Sequence, residues 1–260
     1  MTLYIQLQGG LGNQLFQYAA AIALGYTIQV SLIKAPIAHS GRDYRKTLYY
    51  RLLSVDESPS NVPIRLLQPF DAWKPEDWAR VNDTVLQGYF QYLPAIEGVL
   101  PHLRQDLLTF LGPYREALRA KYSIQNPSSR GFIHVRRGDY LTAPPNLHWI
   151  MSPEYYMRAL QNVDPKIQWY VLSDDIAWCK KQDIFTEYPM IEIVDEPDEL
   201  NGLALMSLCH GGAILGNSTY SWWGAMLGAE EAAAPVVYPP KWFSYANPEL
   251  FPSRWIPVSA

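Results

Sequence analysis

Two arginines stand side by side in the run His134-Val135-Arg136-Arg137-Gly138-Asp139-Tyr140, directly after the apolar Gly131-Phe132-Ile133. A guanidinium stays charged when desolvated and matches phosphate oxygens two at a time, so the pair calls for an anion. Side chains alternate across an extended strand, which sets His134 and Arg136 on one face and Arg137 on the other, towards a structural carboxylate. The competing reading is a surface ion pair, such as Arg137 with Asp139. A second chemical group is Ser173-Asp174-Asp175. Adjacent aspartates point apart and make a poor metal pair, and the spaced Asp-x-Asp pattern is absent from the chain. One of these carboxylates is suited to accept from the hydrogen-bonding edge of a guanine, and at least one to cap the helix that follows.

Asn217-Ser218-Thr219-Tyr220-Ser221 forms the third group. Capping a helix needs one hydroxyl, whereas this turn carries three, so its hydroxyls and backbone N–H groups suit an anion at a helix N-terminus. The fourth is the turn Gly9-Gly10-Leu11-Gly12-Asn13-Gln14. It is no P-loop, because Asn13 stands where that motif needs Lys. Nor is it the dinucleotide fingerprint, since Leu15 replaces the third Gly and no acid lies near residue 30. Two readings remain open: a tight turn between strand and helix, or close backbone approach to a ligand with Asn13 as a polar handle. Together, the strand ends of the second half offer a guanidinium, a carboxylate and hydroxyl or amide donors. That set suits a nucleoside diphosphate, its base at the acid and its phosphates at Arg136 and the hydroxyls. Arg136 would take the charge-neutralising part that Mg²⁺ plays elsewhere, which points to a nucleotide-sugar transferase.

The elements that must position these groups alternate short apolar runs with amphipathic segments, the rhythm of an α/β protein with parallel strands. Strands are predicted over 4–7, 29–33 and 84–91, then over 132–136, 168–172, 190–194 and 212–215. Helices are predicted over 14–24, across most of 97–122 with breaks at Pro101 and Pro113, after Ser152 as N-cap, over 199–208, and from Ser221. The composition of 124–131 reads as a linker, so the expected architecture is two Rossmann-like halves, 1–125 and 126–260. Residues 34–68 are polar, contain Pro and resist assignment.

The chain of 260 residues is long enough for a substantial core, and 48% of it is apolar. A net charge of −4 gives no reason to expect a nucleic-acid or anionic-membrane surface. Cys179 and Cys209 lack metal-ligand spacing and read as reduced core thiols, and Trp222 and Trp223 read as core packing. No basic leader or uninterrupted apolar run suited to a membrane span is visible, and a cytoplasmic protein is expected.

These residues carry a likeness. The run HVRRGDY resembles the H-x-R-R-G-D-Y signature of the α-1,2-fucosyltransferases, glycosyltransferase family 11. The likeness continues in GGLGNQLFQYA, in GYFQ at 88–91, in the SDD at 173–175 and in NSTYSWWGA at 217–225, all in family order. Tyr220 stands where Phe is usual and Met226 where Trp is common. The resemblance implies the GT-B fold, its two halves facing across a cleft, the first on the acceptor side and the second binding the donor. It implies GDP-β-L-fucose as donor and inverting transfer to the 2-hydroxyl of a terminal β-galactose, as in lactose or a Galβ1,3-N-acetylhexosamine, with no metal or other cofactor. By position, Arg136, Asn13 and Asp139 become the catalytic set. Gly10, Gly12, Gln14, His134, Arg137, Ser173, Asp174, Asn217, Ser218, Thr219, Tyr220 and Ser221 become the donor-binding set. A base is not identified, with His39, Asp43 and Glu154 as candidates. The competing functions are a fucosyltransferase of another linkage and a non-catalytic GDP-sugar or glycan binder.

Overall fold

The computed structural model describes residues 2–34, 42–68, 71–78, 81, 83–144, 147–243 and 249–259. Every named strand falls in one of two parallel sheets. The first opens with β1 (Thr2–Gln6), whose alternating burial places Leu3 and Ile5 in the core. Helix α1 (Leu11–Gly25) follows and is buried along nearly its whole length, as an Ala-rich sequence apolar on every side requires. It starts ahead of the predicted residue 14, because Gly10 takes the extended N-cap conformation and its carbonyl accepts the Gln14 N–H at 3.0 Å. Then come β2 (Gln29–Ile33), β3 (Leu53–Val55), β4 (Ile64–Leu66), β5 (Thr84–Gln87), α2 (Leu93–Ile96) and α3 (Leu100–Phe110).

The sheet order is β3-β2-β1-β5-β4. The edge strands β3 and β4 went unpredicted: each is short and mostly exposed, so no buried apolar face marks it. Between β2 and β3, the buried guanidinium of Arg45 ties the chain together. It bonds Asp43 and Asp56 at 2.6 and 2.8 Å and also donates to the Val55 carbonyl.

The second sheet is built from β6 (Arg130–Val135), β7 (Gln168–Ser173), β8 (Ile191–Ile193), β9 (Gly212–Ile214), β10 (Val236–Tyr238) and β11 (Ile256–Pro257). Its helices are α4 (Gly112–Lys121), α5 (Pro153–Leu160), α6 (Ile176–Cys179), α7 (Asp183–Thr186), α8 (Glu199–Met206) and α9 (Thr219–Leu227). Ser152 does precede α5, yet its side chain makes no capping bond to the helix. The order β11-β10-β9-β6-β7-β8 is doubly wound. The chain runs outward from β6 through β7 to β8, then returns to the other side of β6 and runs outward again. The strand order therefore reverses between β6 and β9, where open α/β sheets hold their ligands beyond the carboxyl ends. Beneath it pack Ile133, Val135, Tyr155, Tyr156, Val171, Phe185 and Ile214. Trp222, Trp223, Cys179 and Cys209 are buried, the two cysteines unlinked.

The chain divides into two compact units, Met1–Leu107 with Pro248–Phe251 and Leu108–Asn247 with Pro252–Ala260. The division falls within α3, ahead of the 125/126 junction read from composition. Helix α4 packs on α8 and so belongs with the second sheet. The return of a C-terminal segment to the first unit left no mark in composition; there the Glu249 carbonyl accepts the Leu93 N–H at 2.9 Å.

Candidate active site

At the reversal point of the second sheet, His134 to Arg136 end β6 while Gly216 to Ser218 follow β9. The two chains approach closely. A Cβ on Gly216 would lie 3.0 Å from the His134 carbonyl oxygen and 3.5 Å from the Arg136 nitrogen, so a side chain here would press on the backbone of both. Two tyrosines of α5 hold the ends in place: Tyr155 donates to the Leu215 carbonyl at 2.6 Å and Tyr156 to that of His134 at 3.4 Å. Tyr140 closes the same corner from the turn Gly138–Leu141, donating to the Asn217 carbonyl at 2.9 Å.

The two arginines follow the end of β6 and pair with different carboxylates. Arg136 Nη2 bonds Asp139 at 2.6 Å, and its Nη1 pairs with Asp174 at 2.7 Å. Arg137 turns the other way, its Nε 3.2 Å from Asp175 and its guanidinium 4.1 Å from the centre of the Trp178 ring. Asp139 is thus the partner of Arg136, whereas the surface-pair reading had assigned it to Arg137. The adjacent aspartates do diverge. Asp175 caps α6 by accepting the Trp178 N–H at 3.0 Å, and Ser173 Oγ accepts the Asp175 N–H at 2.9 Å. Asp174 accepts the Arg137 backbone N–H at 2.9 Å besides its pairing with Arg136, so both of its oxygens are engaged.

His134 is buried against Tyr220, ring centres 5.7 Å apart, and its Nδ1 has no hydrogen-bond partner among the described residues. Burial pulls its pKa down to about 4, with Arg136 adding to the effect and Asp174 opposing it, so the ring is neutral at pH 7.

The 217–221 turn sorts into groups that build it and groups that it presents. Asn217 spends its amide hydrogens on the carbonyls of Trp149 and Trp242, at 2.7 and 3.1 Å. Ser221 is fully buried and donates to the Ser218 carbonyl at 3.0 Å, and Tyr220 donates to the Glu199 carbonyl at 2.6 Å. These three side chains spend those donors on backbone carbonyls of the fold. Ser218 is the N-cap of α9 and makes no side-chain capping bond. The Ser218 hydroxyl and the first-turn N–H groups of α9 are what the turn offers an anion. Helix α9 begins at Thr219, ahead of the predicted Ser221, because Ser218 is the last extended residue.

In the first unit, two motifs far apart in sequence meet. Gly9 has φ +76°, and a Cβ there would strike the Asn13 side chain. Asn13 Oδ1 accepts from Gln91 at 2.9 Å, Gln14 donates to the Gly9 carbonyl at 3.0 Å, and Gln17 donates to the Gly88 carbonyl at 3.0 Å. Gly10 and Gly12 lie at the start of α1, beside these contacts. The roles of Gln91 and Gln17 went unread, although both lie within motif blocks; polar side chains without charge give little signal alone. Among the proposed bases, Asp43 is pulled down to about 2, chiefly by its hydrogen bond with Arg45. Glu154 is held below the usual carboxylate range by its bond with Ser152. His39 lies outside the described residues.

The Glycosyl transferase family 11 model matches residues 81–244, which include the HVRRGDY, SDD and NSTYSWWGA blocks. The chain belongs to glycosyl transferase family 11. Among relatives of this family 11 chain, the O-antigen biosynthesis glycosyltransferase WbnK of Escherichia coli is 29% identical, over 98% of this chain and 99% of its own. An α-1,2-colitosyltransferase of Escherichia coli is 24% identical, with 97% of each chain covered. The human galactoside α-(1,2)-fucosyltransferase 1 is 28% identical over 87% of this chain, which spans 65% of the human protein. In structure, the chain is similar to the fucosyltransferase NodZ from Bradyrhizobium, with a TM-score of 0.53 at 12% identity, covering 87% of this chain and 92% of that one. The fold is of the GT-B type. The family 11 chain is a glycosyltransferase, and among its described residues no helix is long and apolar enough to cross a membrane.

Proposed function

We propose that this enzyme transfers L-fucose from GDP-β-L-fucose to the 2-hydroxyl of a terminal β-galactose, with inversion and without a metal. The observation that carries the reading is Arg136, a charged and partly exposed guanidinium at the reversal point, beside the turn that starts α9. The departing GDP gains negative charge as the glycosidic bond breaks. Arg136, the Ser218 hydroxyl and the α9 amides are assigned to that charge, in a site whose preorganised donors do not need to reorganise. Thr219 completes this set. Asp174 and neutral His134 are assigned to the guanine side, Asn13 to the fucose and phosphate, and the first unit to the acceptor. Among the described residues, no group of three or more His, Cys, Asp or Glu side chains is placed to hold a metal. Departure of GDP ahead of attack gives the sugar oxocarbenium character and makes the acceptor hydroxyl's proton easier to lose, so a strong base is not required.

The colitosyltransferase relative favours a second reading, in which GDP-colitose is the donor; colitose is fucose without its 3-hydroxyl. The test is GDP release from GDP-fucose and from GDP-colitose in EDTA, with and without lactose or a Galβ1,3-N-acetylhexosamine. The proposal expects acceptor-stimulated release from GDP-fucose, a product fucosylated at O2 of galactose, and no dependence on metal. Preference for GDP-colitose would replace the donor, and a product linked elsewhere would replace the linkage. Binding of both donors without transfer would point to a binder.

A further inference from the structure

We infer that Asp139 is a resident substitute for the diphosphate on Arg136, displaced by the donor and, by competing for the same guanidinium, setting how fast GDP leaves. The inference rests on the assignment of Arg136 to the diphosphate. Two guanidiniums, Arg136 and Arg137, face three carboxylates, Asp139, Asp174 and Asp175, so the cluster is net negative before any ligand arrives. A diphosphate entering such a cluster meets repulsion unless one carboxylate gives way.

The three carboxylates are not equally fixed. Asp175 caps α6. Asp174 holds the Arg137 N–H and sits so close over Gly138 that a Cβ there would lie 2.5 Å from its oxygen. The Asp139 side chain is 52% exposed, and among the described residues Arg136 is the only hydrogen-bond or ion-pair partner of its carboxylate. Its backbone is nevertheless anchored: the Asp139 carbonyl accepts from Thr142 Oγ1 at 3.1 Å, and the next residue, Tyr140, is tied to Asn217. A rotation of the side chain alone therefore frees the Nη2 edge of Arg136 while Asp174 keeps the Nη1 edge in place. Without a ligand, Asp139 holds Arg136 extended and oriented. With GDP bound, the same carboxylate stands next to the phosphates and competes for their cation. Asp139 is in this sense a positioning residue.

The experiment measures GDP affinity and single-turnover transfer from GDP-fucose for the full-length wild type, Asp139→Asn, Asp139→Ala and Arg136→Ala. Both Asp139 variants are expected to bind GDP about tenfold more tightly, the scale of one removed like charge in a screened site. Their steady-state turnover should fall below the single-turnover rate, with a burst of product in the first turnover, the pattern of slowed product release. A merely structural Asp139 would not tighten GDP binding when lost. Unchanged or weaker GDP binding in both variants overturns the inference, as does a collapse of the single-turnover rate, which would assign Asp139 to the chemical step. If Arg136→Ala binds GDP as well as wild type does, the assignment of Arg136 fails instead.

Discussion

At the scale of single residues, charge and burial set what each group at the reversal point can do. Removing Arg136 takes away the one cation assigned to the leaving GDP. Arg136→Ala is expected to cut kcat by about 10²-fold or more with the fold retained, as for loss of a principal electrostatic donor; a near-normal rate would remove Arg136 from the chemistry. His134 acts through its neutrality. Its folded pKa of about 4 lies below the 6.5 of an exposed histidine, so between these values the unfolded chain binds more protons than the folded one. Stability from this group is complete above pH 6.5 and is lost as pH falls towards 4. Urea unfolding of wild type and His134→Asn at pH 7 and pH 5 checks this: the wild type should lose more stability on acidification than the variant does. Asp174 and Arg136, the charged groups that act on the ring, oppose each other there, and burial of the ring sets the direction.

At the scale of elements, the turn between β9 and α9 is a fastening as much as a cradle. Asn217 joins it to the backbones at Trp149 and Trp242, and Tyr140 joins it to the turn after β6. Asn217→Ala deletes two hydrogen bonds, one of them buried, and takes from the Trp149 carbonyl its Asn217 donor, a cost of about 1–3 kcal/mol. Thermal unfolding should show the loss, and kcat should fall more than the affinity for GDP, because the Ser218 hydroxyl and the α9 amides remain while their placement loosens. An Asn217→Ala protein as stable as wild type would show that these bonds are dispensable. The hydroxyl count at 218–221 was legible as a cluster, yet sequence could not separate Ser218, which makes no capping bond, from Ser221, which donates to the Ser218 carbonyl. That distinction depends on the helical phase fixed by the start of α9 at Thr219.

At the scale of the whole molecule, each of the two units is built on a parallel sheet. GDP alone is expected to slow amide exchange in the second unit, at the ends of β6 and β9 and the first turn of α9. GDP-fucose should extend protection to residues 9–14 of the first unit, where Asn13 is assigned to the sugar. Protection of 9–14 by GDP alone would reassign that turn to the nucleotide. The parallel α/β character of the chain was legible in the sequence, because buried parallel strands are continuous apolar runs such as Phe132-Ile133 and Trp169-Tyr170-Val171-Leu172. Strand period led to different partners being expected for Arg136 and Arg137, and they do pair with different carboxylates, although both lie beyond the end of β6. The exposed edges β3 and β4, the division within α3 and the return of the C-terminal segment to the first unit were not legible. They depend on which surfaces meet, and an exposed strand or a packed helix such as α4 carries no local mark of its partner. The sequence by itself determined the α/β class and the family. Only the tertiary structure decided that Arg136 rests between Asp139 and Asp174 and that Asn217 and Ser221 donate to backbone carbonyls, because pairing between distant segments, such as Arg136 with Asp174, and the aim of a side chain are set by packing rather than by residue type.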